Sequence, residues 1–107
     1  VEVEKWGWEK VMERALKEAQ ANTKKLWISF DVDVLDPAFM PGTGTPVWGG
    51  LASWQAAALL RGLAGVNLLG GDVVEVSPPY DTTGATAIAG AHVATELICL
   101  YGWTRRK

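Results

Sequence analysis

Apolar positions recur at helical spacing between residues 8 and 21. Trp8, Val11, Met12, Ala15, Leu16 and Ala19 follow the i, i+3, i+4, i+7 rule, while Glu9, Lys10, Glu13, Arg14, Lys17 and Glu18 fill the other face. An amphipathic helix is predicted there, stopped by Asn22 and Thr23. The pattern then changes. Leu26 to Phe30 is apolar at every position except Ser29, which predicts a strand covered on both faces, as in a parallel sheet. Ser53 is placed to cap a helix over 54–63, with Ala57, Leu60 and Leu63 inward and Gly65 as its stop. A second strand is expected within 66–76. Gly70 and Gly71 weaken its first half, so Asp72 to Val76 is the firmer part. Pro78 and Pro79 end it. A last helix over 85–101 is small and apolar almost all round, a composition that predicts burial on several sides.

The order α-β-α-β-α predicts an α/β fold whose two strands run parallel through a helical crossover. Two parallel strands make a thin sheet with open edges. Residues 1–107 therefore read as a single domain that is a slice of a larger α/β sheet.

Composition narrows the function classes. Hydrophobic residues make up 49% of the 107 residues, enough for a core and too many for a disordered segment. The formal charge of −2, without a long block of one sign, argues against a nucleic-acid partner. Arg105-Arg106-Lys107 reads as a solvated basic end. Cys99 has no second cysteine to pair with, which fits a reducing cytoplasm and a small core residue. No secretory leader is evident, and no stretch of about 18 apolar residues is expected to cross a bilayer. Of the six tryptophans, Trp6 and Trp8 precede the expected core elements and are candidates for a partner surface.

The candidate chemistry lies in residues 26–46. The apolar strand runs into Asp31 and Asp33, with Asp36 shortly after. Side chains two apart on a strand point the same way, so Asp31 and Asp33 are expected to project together from its carboxyl end, where open α/β sheets place ligands. Side-by-side carboxylates repel unless a proton or cation lies between them, and hard oxygen donors suit magnesium, calcium or manganese. The following stretch, 36–50, holds Pro37, Pro41 and Pro46 with Gly42, Gly44, Gly49 and Gly50. It reads as a structured functional loop.

Three explanations compete for these acids. A calcium loop of the EF-hand type fits poorly, because Val32, Val34 and Leu35 stand where oxygen ligands belong. Asp31-Val32-Asp33-Val34 resembles the opening motif of haloacid-dehalogenase-like phosphatases, in which Asp31 would be the nucleophile and Asp33 the acid/base. The likeness stops after four residues. The third explanation covers more of the chain. Ser29-Phe-Asp-Val-Asp-Val-Leu-Asp-Pro-Ala-Phe-Met-Pro-Gly-Thr-Gly-Thr-Pro46, continued by Gly49-Gly50-Leu51, resembles a motif of the ureohydrolase (arginase/agmatinase) family. Asp72-Val-Val-Glu-Val-Ser-Pro-Pro-Tyr-Asp81 is similar to the family's next landmark, in an agmatinase-like form.

That resemblance implies the C-terminal portion of a parallel-sheet arginase-like fold. It implies manganese-dependent hydrolysis of a guanidino C–N bond, releasing urea and an amine, at a binuclear Mn²⁺ centre. Carried over residue by residue, Asp31 bridges both metals, Asp33 ligates one, and Glu75 receives the guanidinium of a small substrate. Asp36 is expected to hold the loop or to stand behind the metal ligands, not to bind metal itself. The family's Gly-Gly-Asp-His-type and Asp-Ala-His-x-Asp-type segments do not occur in these residues. Residues 1–107 thus read as a partial ureohydrolase domain lacking the N-terminal metal-binding segments, with an incomplete site. No residue is assigned a catalytic proton-transfer role, since the lone His92 falls within the last helix. A homo-oligomer without nucleic-acid or membrane partners is expected. The rival from another class is a truncated metal-binding or self-associating module without ureohydrolase activity.

Overall fold

In the computed structural model, which describes residues 2–106, two strands run parallel at the centre. β1 (Lys25–Asp31) pairs with β2 (Asn67–Val74), and Ser29 lies opposite Asp72, Phe30 opposite Val73, and Asp31 opposite Val74. Around them are α1 (Glu2–Trp6), α2 (Trp8–Ala19), α3 (Ser53–Arg61) and α4 (Ala85–Trp103). Two 3₁₀ turns, Val32–Val34 and Pro78–Tyr80, follow the two strands. The expected α/β order with parallel strands is present, preceded by the short α1. Gly7 separates α1 from α2 at φ +79°, a left-handed conformation suited to glycine.

The second strand starts earlier than its glycines suggest. It spans Asn67–Val74 and ends before Glu75, whereas the firm part was expected at 72–76. A bulge explains the early start: Leu26 pairs with Leu68, but Trp27 pairs with Gly70, so Leu69 is skipped. A Cβ on Gly70 would lie 2.7 Å from the Trp27 ring. The absent side chain makes room for the indole on the neighbouring strand, so the glycine permits the pairing here.

One core forms where Leu60, Leu63, Leu68, Val93, Leu97 and Leu100 meet, with Met12, Leu16, Ile28, Phe30 and Val73 packed against it. Val93, Leu97 and Leu100 recur at helical spacing, so α4 buries a single stripe on this core. A smaller cluster of Leu35, Met40 and Ala56 closes over Phe30 and Leu51. It fastens the loop after β1 to α3. That helix starts one residue earlier than expected. Ala52 is its N-cap, Ser53 lies inside the first turn, and Gln55 Oε1 accepts the Ala52 N–H at 2.9 Å.

Three expectations about α4 are corrected. Ile88, Ile98, Tyr101 and Trp103 are exposed, so the helix is covered on one side only within this chain. Cys99 is exposed on that open side and is not a core residue. At 19 residues, α4 is also long and apolar enough to cross a membrane by length and composition alone, contrary to the expectation that no segment would be. All three follow from an apolar composition that exceeds the cover a two-stranded sheet supplies.

Candidate metal centre at the strand ends

Asp31 is the last residue of β1, and the chain does not continue as a strand to Asp33. It folds into the Val32–Val34 turn, with Val32 only 1% exposed and anchored beneath it. Asp31 Oδ1 accepts the Asp33 backbone N–H at 3.0 Å and so caps the turn. The two acids are brought together as expected, but by a capped turn and not by strand alternation. Partial burial raises the Asp31 pKa most. The Asp33 N–H works against that rise, and the adjoining Asp33 carboxylate adds to it. Such a pair is relieved by a cation, and its donors are hard oxygens that suit manganese or magnesium.

The loop after these acids is built around them. Thr45 Oγ1 donates to Asp33 Oδ2 at 2.8 Å. Asp36 holds both ends of the loop, its Oδ1 accepting from the Ala38 N–H at 2.9 Å and its Oδ2 from the Gly49 N–H at 3.0 Å. These backbone donors hold the Asp36 carboxyl below its ordinary pKa. Asp36 thus has the loop-holding geometry expected of it. Behind it, the Asp36 N–H donates to Leu51 O and the Leu51 N–H to Val34 O, both at 2.9 Å, closing a parallel bridge between Leu35 and Leu51.

Farther along, Gly42 ties the loop to the far end of β2. Its N–H donates to Thr86 Oγ1 at 2.9 Å, and its carbonyl accepts the Ser77 N–H at 2.8 Å. A Cβ on Gly42 would fall 2.5 Å from that of Asp81, so only glycine fits this close approach.

Glu75 is the first residue past β2. Because Val74 pairs with Asp31, Glu75 emerges from the same end of the sheet, one strand over. It is exposed, and it alone among the described non-glycine residues has a positive φ, +67°. His92 does not join the acids. It lines a groove between α3 and α4 together with Arg61 and Glu96, which are ion-paired there. Among the described residues, no three His, Cys, Asp or Glu side chains converge on one metal position.

Three polar residues with structural roles carry weaker signals in the sequence. Thr45 could be found there, since it closes the Pro-Gly-Thr-Gly-Thr-Pro loop beside the acids. Asp72 accepts from Ser29 Oγ at 2.6 Å and Trp27 Nε1 at 3.1 Å, a cross-strand set that only the register reveals. Asp81 accepts from the N–H groups of Thr86 and Ala87 at 3.0 and 2.9 Å, satisfying the free first turn of α4. Its signal is an acid shortly before an apolar helix.

Parallel strands that deliver carboxylates to one end give this chain the α/β arrangement whose strand ends are the usual place for a ligand. More narrowly, it belongs to the arginase family, whose family model matches residues 1–99. It is 65% identical over 74 residues to the guanidinopropionase of Pseudomonas aeruginosa, covering 69% of this chain and 23% of that protein. It is 47% identical over 102 residues to the guanidinobutyrase of the same organism, covering 92% of this chain and 32% of that relative. The solved structure of a hypothetical agmatinase from Burkholderia thailandensis superposes with a TM-score of 0.79 at 55% identity, over 92% of this chain and 31% of that one. The chain spans between about a quarter and a third of the length of these proteins. Its fold is accordingly a portion of the arginase-like fold.

Proposed function

We propose that residues 1–107 form part of one ureohydrolase domain, in which Asp31 and Asp33 bind manganese and Glu75 receives a substrate guanidinium. The reaction adds water across a guanidino C–N bond, releasing urea and leaving the amine on the substrate. Manganese, when bound, supplies Lewis acidity and neutralises charge developing at the guanidino carbon. Asp31 and Asp33 hold that cation, and Glu75 orients a planar, multi-donor cation that suits a carboxylate acceptor.

The observation that carries this reading is the register of Asp31 against Val74. It brings Glu75 and the carboxylate pair out of adjacent strand ends. The substrate class is a small linear guanidino compound, consistent with relatives named guanidinopropionase, guanidinobutyrase and agmatinase. The agmatinase-like run from Val76 to Asp81 makes agmatine the first candidate. The lone cysteine fits a cytoplasmic setting. Within these residues the carboxylate pair supplies only part of a two-metal ligand set, and no histidine is placed for proton transfer.

The test is manganese binding and urea release by the purified 107-residue protein, with agmatine, guanidinobutyrate and guanidinopropionate as substrates. Manganese binding that disappears in the Asp31→Ala, Asp33→Ala double variant is expected. Urea release should fall at least roughly tenfold below that of a full-length agmatinase, since loss of even an outer-shell partner costs about 10–100-fold. Unchanged manganese affinity in the double variant would sink the ligand assignment, and turnover equal to the full-length enzyme would sink the incomplete site.

A second reading, a self-associating metal-binding module, is favoured by the open strand edges and by exposed Leu69, Ile98 and Tyr101. Sedimentation with and without manganese separates the two: a homo-oligomer that binds metal but releases no urea supports the module.

A further inference from the structure

Strand alternation assigns Glu75 to the wrong face. Val73 packs against the core that holds Leu68 and Leu97. Two residues further along a regular strand, Glu75 would point the same way, onto α4. Val76 takes that place. Val76 Cγ2 and Val73 Cγ1 lie 3.2 and 3.8 Å from where a Cβ on Gly90 of α4 would stand. Two valines three residues apart share one helix contact because the backbone turns between them, at Glu75, with φ +67°.

Glutamate is a poor choice for that conformation. The left-handed region favours glycine and, among side chains, asparagine and aspartate, whose short polar groups bond locally. Among the described residues no side-chain contact compensates for it: the Glu75 carboxylate joins no ion pair and accepts no hydrogen bond there. The geometry is held from both sides. Val74 is paired with Asp31 before it, and the Ser77 N–H is bonded to Gly42 O after it, followed directly by Pro78 and Pro79. A rarely populated backbone that its surroundings over-determine, at a residue whose side chain contributes nothing to the fold, is characteristic of a functional position.

We propose that the left-handed turn at Glu75 is a positioning device retained at a cost in stability: it lifts the carboxylate off α4 and presents it at the strand end that also carries Asp31. What the carboxylate receives, a guanidinium, rests on the function proposed above. The turn itself does not.

The experiment is the melting temperature of the 107-residue protein and its Glu75→Gly, Glu75→Asn and Glu75→Gln variants, read by circular dichroism. Glycine relieves the backbone and raises the melting temperature by about 2–6 °C, asparagine raises it less, and glutamine, which removes the charge but keeps the conformation, leaves it within about 1 °C. A Glu75→Gly protein that melts at or below the parent overturns the proposal. So does a rise in Glu75→Gln equal to that in Glu75→Gly, which would assign the effect to repulsion from Asp31 and Asp33. Agmatine binding, followed by ligand-observed NMR, reports on the guanidinium role separately. It should weaken at least roughly tenfold in Glu75→Gln. Unchanged binding would overturn that role, while the order of melting temperatures judges the turn.

Discussion

Gly50 sits where the loop after β1 returns behind the acids, and adding one methyl there tests how the site is built. A Cβ at Gly50 would lie 2.6 Å from the Asp36 nitrogen, 2.7 Å from the Leu35 carbonyl carbon and 2.8 Å from the Val34 oxygen. All three are backbone atoms, so no side chain can swing aside. Each approach is about 0.6–0.8 Å short of ordinary contact. The two segments must separate by that much. Doing so stretches both 2.9 Å hydrogen bonds of the Leu35–Leu51 bridge out of good geometry. Losing them costs roughly 1 kcal/mol each, and overpacking adds about 1–3 kcal/mol. The narrower unfolded ensemble of alanine offsets about 0.4–1 kcal/mol. Gly50→Ala should therefore destabilise by about 2–4 kcal/mol, which in a domain of this size lowers the melting temperature by roughly 10–25 °C.

The same loop supplies its own control. A methyl added at Gly44 would meet no heavy atom within 4 Å, and the residue has no left-handed φ, so Gly44→Ala should match the parent or exceed it slightly. Thermal and urea unfolding of both variants, followed by far-UV circular dichroism, decide the matter. Manganese affinity should fall in Gly50→Ala as well, because the displaced backbone carries Asp36 and adjoins Asp33. If Gly50→Ala melted within about 2 °C of Gly44→Ala, the loop would not be braced against the acids as described.

Two further outcomes follow from the packing and the charges. Leu68 is 1% exposed and the adjacent Leu69 is 51% exposed, since neighbouring strand residues face opposite sides of the sheet. Leu68→Ala should cost about 2–5 kcal/mol in urea unfolding and Leu69→Ala under about 1; equal losses would refute this assignment of Leu68 to the core face and Leu69 to the open one. In acid, Asp36, Asp72 and Asp81 act together. Their carboxyls are held below the ordinary range by the Ala38 and Gly49 N–H groups, by Ser29 and Trp27, and by the Ala87 and Thr86 N–H groups respectively. Folded values below the unfolded one, about 3.9, mean that the unfolded chain takes up protons first. The stabilisation is full above about pH 5 and is lost as pH falls through the folded values. Asp31, raised mainly by burial, has the opposite sign and contributes stability that is lost as pH rises through its folded value. Urea midpoints at pH 7, 5 and 3 should fall at the last step, and less steeply in Asp72→Asn; a flat profile would refute the assignment.

The elements legible from sequence are those whose signal lies within a few residues. The α2 stripe, the apolar run of β1 and the breakers after β2 each declare themselves locally. The first half of β2 does not, because whether Gly70 ends or permits a strand depends on Trp27, whose ring needs the space on the other strand. Strand alternation pairs Asp31 with Asp33 for the wrong reason, since it predicts the same neighbours as a 3₁₀ turn capped by Asp31. Glu75 can be found only through resemblance. Its left-handed turn is set by Ser77, Gly42 and the register with β1, none of which shows in the local pattern.

The two halves of this structure differ in what they depend on. The carboxylate pair is assembled almost wholly by neighbours in sequence. Asp33 is oriented by Asp31 and Thr45, Asp36 by Ala38 and Gly49, and the bridge between Leu35 and Leu51 closes the same short loop. The cover of α4 has no such local source. Its open side carries Ile88, Ile98, Tyr101 and Trp103, and the strand beneath it has an unpaired edge. The arginase-family proteins it matches are about three times as long, and apolar surface of this kind is what further elements of a larger α/β sheet bury. The acid loop is braced mostly from within, with Gly42 adding ties to Thr86 and Ser77. That is why the metal-binding test separates from the activity test: the first reads an arrangement centred on residues 31–51, the second the further ligands that the proposed function requires.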